Sequence, residues 1–290
     1  MEIMRSNTIL KKLMPYLLLL PAFILICIFK INPIIQTVVK SFINNGEFVT
    51  KTYITLFNDP QFWNSLKVTL KLNIIMIPLQ IFISFWLAII VNLSFKGITV
   101  FRTIYYLPFT TSLTVATLIW NLMLNYNSGI VNSVLSVLGI GPQGFFIDKR
   151  QALLCIVLVA TWKGCGYWMM FLLAGLKNID ASIYESAKID GAGFFTTVSR
   201  ITIPLLKKVL LFVLVANTTA NMLLFAPVQL ITEGGPQGST NVLMYEAYKS
   251  AFKYANQPRS AALVTILLLI IIGICIVQFK FLDEKEESVA

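Results

Sequence analysis

Histidine is absent from this 290-residue sequence, and only 12% of its residues carry a formal charge. Without imidazole there is no side chain whose ordinary pKa falls near neutrality and no His-based metal site. The four cysteines (Cys27, Cys155, Cys165 and Cys275) stand singly in or beside apolar runs, with no metal-ligand spacing. Such thiols behave as small hydrophobes. No G-x-x-x-x-G-K-[ST] phosphate loop occurs, nor any Gly-Lys dipeptide, so the chain lacks the usual means of hydrolysing ATP. No constellation of nucleophile, base and metal ligands marks a membrane enzyme. Period-2 alternation is missing too, which removes the signal of a membrane β-barrel.

What the sequence has instead is hydrophobicity, at 57% of residues. A helix crossing about 30 Å of hydrocarbon needs roughly 20 apolar residues. Six runs meet that length, at about 13–31, 68–93, 104–124, 152–176, 208–231 and 261–282. They predict an all-α polytopic membrane protein with six transmembrane helices. The first run follows Arg5, Lys11 and Lys12 but lacks a small-x-small cleavage site, so it is expected to be a retained span. Its basic flank places the N-terminus in the cytoplasm, and six spans return the C-terminal tail to the same side. Lys and Arg number twelve in the cytoplasmic segments and nine outside, so orientation rests mainly on the first flank. The net charge of +10 is spread over loop ends and suits anionic lipid headgroups, not nucleic acid.

Residues 1–62 form an N-terminal tail, first span and external segment; 63–282 form a five-helix core; 283–290 are a cytoplasmic tail. Asn44-Asn45-Gly46 predicts a turn, and Asn58-Asp59-Pro60 the start of an interfacial helix with Phe62 and Trp63 at headgroup level. SFKGITVFR (94–102) joins spans two and three. Glycines in the external loop 127–150 predict short helices and turns, and a second Gly-rich loop, TEGGPQGST, follows at 232–240.

Polar groups at membrane depth are costly unless they face a cavity or a partner. Lys163 lies mid-way along the fourth run, about 18 Å from either end at about 1.5 Å per residue. No Asp or Glu falls within any run, so it must face water, another subunit or backbone carbonyls. Asn217 and Asn221, four apart in the fifth run, share a helix face. They either line a wall or hydrogen-bond between helices. Trp162, Tyr167 and Trp168 offer faces for stacking on a sugar, or for packing.

Between the fourth and fifth runs lies YESAKIDGAGFFTTVSRITIP (184–204), densely charged for this chain. Ser182 and Glu185 have capping-box spacing, Gly191 suits a helix end, and Phe194, Val198 and Ile201 fall on one face before Pro204 closes the second helix. A helix of about two turns is unstable alone in water, which suggests a docking surface; an interfacial helix is the alternative.

The spacing resembles the signature loop of binding-protein-dependent ABC importers, E-A-A-x₃-G-x₉-I-x-L-P. Here it reads Glu185-Ser186-Ala187, Gly191, Ile201 and Ile203-Pro204, with Ser186 replacing alanine and Ile203 replacing leucine. Asp190-Gly191-Ala192 matches the sugar-importer subgroup; Phe195 matches a frequent aromatic, and Val198 stands where phenylalanine is common. TEGGPQGST resembles the TGGGP…ST loop of one of the two sugar permeases. YEAYKSAFKYANQPRSAA (245–262) is similar to the segment that follows it there, without its glycine. From about residue 100 onward the chain resembles the larger membrane subunit of maltose importers.

The resemblance implies a type I ABC importer permease fold in the bacterial cytoplasmic membrane, working by alternating access. Residues 182–191 would be its coupling helix, with Glu185, Ser186, Ala187, Asp190, Gly191 and Ala192 docking on an ATPase; for Glu185 the alternative is capping alone. The partners would be a second permease, two ATPase subunits using ATP and Mg, a solute-binding protein and a sugar. This chain would bind no cofactor and no metal. Sugar contacts would fall at Phe109, Leu113, Ala160, Lys163, Gly164, Asn217, Ala220 and Asn221, with Tyr167 beside them. Because of departures at 113, 160, 163 and 220, the resemblance does not extend to implying maltose itself as the solute. Amino-acid or polyamine importers remain alternatives within the family. An ion-coupled transporter would want carboxylates or histidines in its spans.

Overall fold

The computed structural model describes residues 2–44, 47–48, 50–93 and 96–287, and the side chains of all of these except 2–13, 44 and 281–287. The side chains of Arg5, Lys11, Lys12 and the 283–290 tail lie outside the described residues, as do Asn45, Gly46, Ser94 and Phe95 of two expected connections.

Fourteen α-helices follow one another among the described residues. They are α1 (Glu2–Ile26), α2 (Asn32–Ser41), α3 (Lys51–Phe57), α4 (Pro60–Asn92), α5 (Ile98–Thr110), α6 (Leu113–Met123) and α7 (Ile130–Val137). Then come α8 (Ala152–Lys177), α9 (Ala181–Ile189), α10 (Phe194–Thr197), α11 (Ile203–Leu205), α12 (Lys207–Met222), α13 (Leu243–Tyr248) and α14 (Gln257–Glu287). A two-residue hairpin, β1 (Ile43–Asn44) with β2 (Glu47–Phe48), is the sole sheet among these residues. Four helices are long and apolar enough to cross a membrane: Met14–Ser41, Pro60–Asn92, Ala152–Lys177 and Gln257–Lys280.

The other two apolar runs are broken helices. The 104–124 run is divided at Thr111 and Ser112, both extended, into α5 and α6. Pro108 removes one helical donor near the end of α5, and the Thr110 and Thr111 hydroxyls bond back to the Leu107 and Pro108 carbonyls. The 208–231 run is the 16-residue α12 and then a π-helical turn at Val228–Thr232 beyond Pro227.

The centre is α4 against α8, the most extensive helix pair in the molecule. A helix apolar all round belongs in a core or in lipid, and α4 is of that kind, yet it carries a buried polar row. Ser65, Thr69, Asn73, Gln80 and Ser84 are all buried along it. Two of them close the pair: Gln80 Nε2 donates to the Ala160 carbonyl at 3.0 Å and Ser84 Oγ to the Cys165 carbonyl at 2.9 Å. Buried hydrophobic clusters flank this seam, one joining α4 and α8 to the 224–245 segment, one joining them to α12, and a third joining α3, α4, α13 and α14.

Span two starts at Pro60, not near 68, so a boundary at 62 cuts its first turn. Asp59 caps it, accepting from the Gln61 N–H at 2.8 Å, with Pro60 pre-set in the first turn. The helix expected after Asp59 is therefore not a separate interfacial one but the first turns of α4. Phe62 is a core residue, 1% exposed, and not a headgroup anchor; Trp63 stays exposed and donates to the Phe57 carbonyl. Arg102 of α5 donates twice to the Val91 carbonyl, closing the C-terminal end of α4.

An ion cluster ties α13, α14 and α4 together. Arg259 pairs with Asp59 at 2.5 Å and with Glu246 at 2.9 Å, and Lys249 meets Glu246 at 2.7 Å. Burial opposes charge on Glu246, but hydrogen bonds from Lys249, Asn241 and Arg259 hold its carboxyl below the usual carboxylate range.

The α5–α8 crossing is the tightest backbone approach, because a Cβ on Gly166 would sit 1.9 Å from the Tyr105 carbonyl oxygen. Gly166→Ala should lower stability by about 1–3 kcal/mol, since backbone cannot rotate away as a side chain can. Gly273→Ala in α14 meets open space and should be neutral or stabilising by up to about 1 kcal/mol. Thermal unfolding of the two purified variants compares them; equal melting would contradict the close crossing.

Candidate functional site

One cavity of about 420 Å³ gathers most of the predicted pathway residues. Phe109 and Leu113 reach it from either side of the α5–α6 break; Ala160, Lys163, Gly164 and Tyr167 come from α8; Ala220 and Asn221 come from α12. Asn217 is fully buried behind this wall, where its Oδ1 accepts from Asn221 Nδ2. Trp168 also lines the cavity, whereas Trp162 packs against Trp120 at 5.6 Å outside it. Tyr167 stacks on Phe109 with ring centroids 4.2 Å apart, so part of its aromatic surface is already engaged.

Of the three environments open to Lys163, the structure shows backbone carbonyls. Its ammonium donates to Thr111 at 2.7 Å, Phe109 at 3.0 Å and Pro108 at 3.4 Å, and lies 5.4 Å from the Phe109 ring centroid. These oxygens belong to the end of α5 and the break after it, where carbonyls have no helical partner.

Gln80 also lines the cavity and was not singled out from the sequence. The signal was present: Ser65, Thr69, Asn73, Gln80 and Ser84 recur at intervals of four, four, seven and four within an apolar helix. That spacing places them on one face. Gln80 fixes the chemistry of the wall. Its Nε2 must donate, because its partner is the Ala160 carbonyl, so its Oε1 must accept. It accepts from Asn221 Nδ2 at 2.8 Å. Asn221 therefore turns its nitrogen toward Gln80 and Asn217, and its Oδ1 is the atom free of both bonds. The wall offers an acceptor.

The second site is α9. Three residues separate it from α8, so movement of one is carried directly to the other. Its cap differs from the expected box. Asp180 is the N-cap and accepts from the Ser182 N–H at 2.9 Å, so the helix starts at Ala181. Asp caps as well as Ser and stands two residues earlier. The Ser182 backbone and hydroxyl together hold the Asp180 carboxyl below the usual carboxylate range. Glu185 is exposed and makes no hydrogen bond or ion pair among the described residues, so it does no capping.

The far end is as expected. Gly191 has φ +75°, its N–H donates to Lys188 at 3.2 Å, and Ala192 N–H donates to Ala187 at 2.9 Å. That paired closure needs a left-handed residue, which glycine supplies without strain. Ala187 is buried and faces inward, while Ser186 and Asp190 are exposed and Ala192 is half-buried. Ile189, at 86% exposed, and Phe195, at 75%, are large apolar side chains left exposed on α9 and α10.

Beyond α9 the expected amphipathic helix is α10, a π-helical turn at Val198–Thr202, and α11. Val198 and Thr202 are its buried residues; Phe194 is exposed beside Trp86. Pro204 does not itself close this helix, which runs on through Leu205, and the break falls at Leu206.

A helical bundle whose largely apolar cavity carries Gln80, Lys163 and Asn221, one lining helix running into a short exposed helix, fits the class of membrane transport subunits. The chain belongs to the family described as the binding-protein-dependent transport system inner membrane component, which it matches over residues 3–282. It is 34% identical over 284 residues to the lactose transport system permease protein LacF of Rhizobium radiobacter, covering 93% of this chain and 94% of that one. It is 31% identical over 280 residues to the sn-glycerol-3-phosphate transport system permease protein UgpA of Pectobacterium atrosepticum, covering 94% and 95%. The fold is that of a chain in the crystal structure of a bacterial alginate ABC transporter in complex with alginate pentasaccharide-bound periplasmic protein, with TM-score 0.83, 24% identity, and 93% and 94% coverage.

Gln80→Leu would remove one hydrogen bond from each of the Ala160 carbonyl and the Asn221 amide, at a cost of about 0.5–1.5 kcal/mol per bond. Thermal unfolding should fall by several degrees; an unchanged midpoint would mean that the relay contributes nothing to the wall.

Proposed function

We propose that the chain is a permease subunit of an ATP-driven, binding-protein-dependent sugar importer. One observation carries this: the predicted solute residues line a single cavity whose α8 wall runs, within three residues, into α9. A sugar needs hydrogen-bond acceptors and aromatic faces, and the cavity provides Asn221 Oδ1, Tyr167 and Trp168. Relatives named for lactose and for sn-glycerol 3-phosphate support a carbohydrate-type solute.

In this account α9 docks on an ATPase subunit. Glu185 pairs with a basic group there, Ile189 and Phe195 enter an apolar cleft, and Gly191 sets the turn that aims the helix. Ser186, Asp190 and Ala192 lie on the rim of that contact. Two ATPase subunits use ATP and Mg; a second permease completes the cavity; an external solute-binding protein delivers the sugar, with the 127–150 and 232–258 segments receiving it. Both termini face the cytoplasm of a bacterial cell. ATP closure moves α9, α9 moves α8, and the cavity opens outward; hydrolysis returns it inward.

An amino-acid or polyamine importer is the second reading within the family. Ion coupling is disfavoured by the lack of histidine and of Asp or Glu in the apolar runs.

Glu185→Lys and Gly191→Asp should each abolish uptake by the reconstituted complex while membrane insertion is retained. Normal transport by both would sink the docking role of α9. Stimulation of ATPase activity by mono- and oligosaccharides, reduced in Asn221→Ala, is expected with the binding protein present. A response to amino acids alone would move the assignment to the second reading.

A further inference from the structure

We infer that the solute carries an anionic group, a carboxylate or a phosphate, which Lys163 receives. This rests on the importer reading and narrows its substrate class. Lys163 is the one formally charged residue among those lining the cavity. No carboxylate falls within any apolar run, and Lys163 forms no ion pair among the described residues. Its three carbonyl partners satisfy its donors but do not neutralise its charge. An ionisable group at membrane depth without a counter-charge is costly and is kept for a function.

Part of the α5 end is closed without an ammonium, and Lys163 serves the carbonyls beyond it. The Thr110 hydroxyl already serves the Leu107 carbonyl at 2.8 Å, and the Thr111 hydroxyl the Pro108 carbonyl at 2.8 Å. The partners that Lys163 holds best are Phe109, in the last turn of α5, and Thr111, in the two-residue break before α6. An entering anion exchanges neutral acceptors for an ionised one, so that the ammonium gains a counter-charge as well as a hydrogen bond.

The rest of the wall suits the rest of an acidic sugar. Asn221 Oδ1 accepts from a hydroxyl, and Tyr167 and Trp168 present apolar rings to a pyranose face. A neutral sugar would share the cavity with a positive charge that it cannot neutralise.

The test uses the full complex in proteoliposomes with its binding protein. Its probes are a galacturonate trisaccharide, the methyl ester of that trisaccharide, and glucose 6-phosphate against glucose. Each pair keeps the sugar and removes the charge, and the two pairs separate carboxylate from phosphate. The wild type should respond to one anionic probe at least tenfold more strongly than to its neutral partner. Lys163→Met should erase that preference, and Lys163→Arg should keep it.

Leu113→Glu guards against a misfolded Lys163→Met. It leaves Lys163 in place, supplies an internal counter-charge in the same cavity, and should likewise lose the anionic probe. Equal response to charged and neutral sugars, or a preference that survives both variants, would overturn the anionic assignment and leave the sugar importer standing. Loss of every sugar to the same degree in Lys163→Met and in Leu113→Glu would also overturn it, placing the missing counter-charge on the sister permease. A complex that answers only to amino acids would remove the importer reading on which it rests.

Discussion

Everything in this molecule hangs on how α4 and α8 are held side by side where water is scarce. Apolar contact alone does little there, because lipid tails are as apolar as leucine. The pair is closed instead by side chains of α4 reaching carbonyls of α8, from Gln80 to Ala160 and from Ser84 to Cys165. Small residues let the neighbours close in, with Gly166 under the Tyr105 carbonyl and Gly164 opposite Gln80. With α8 fixed in this way, Lys163 is aimed at the end of α5, Asn221 is turned by Gln80, and α9 is carried at the far end. The cavity and the placing of α9 are two consequences of one helix pairing.

That arrangement explains why the cavity wall and the exposed helix α9 follow from the same rigid element. A helix of 26 residues transmits a displacement without absorbing it, and the link to α9 is three residues capped by Asp180. The wall also contains a break in the helix, where Thr111 and Ser112 are extended between α5 and α6 and Lys163 of α8 holds the Phe109 and Thr111 carbonyls.

Much of this was legible in the residues themselves. Length and hydropathy gave the helical membrane class, because a span leaves a run that few other structures require. Gly191 announced a helix end, since its left-handed backbone is cheap for no other residue. The depth of Lys163 and the lack of any nearby acid forced its partners to be neutral or external. Other features were hidden for physical reasons. Hydropathy counts residues and not helical bonds, so the breaks at Thr111 and after Met222 looked like uninterrupted spans. Asp180 and Ser182 both make good caps, and backbone conformation, not composition, chose between them. Gln80 drew no notice because an isolated amide in an apolar run resembles many others. Only its place in the row from Ser65 to Ser84 marks it.

The claim most exposed to test is that the cavity bounded by α5, α8 and α12 opens to one side of the membrane at a time. Ala220 lines it, and in a cysteine-free background Ala220→Cys would report access to a membrane-impermeant thiol reagent applied from either side. The account predicts labelling from outside when the complex is trapped with ATP and its loaded binding protein, and from inside when nucleotide is absent. Labelling from the same side in both states, or from neither, would contradict it.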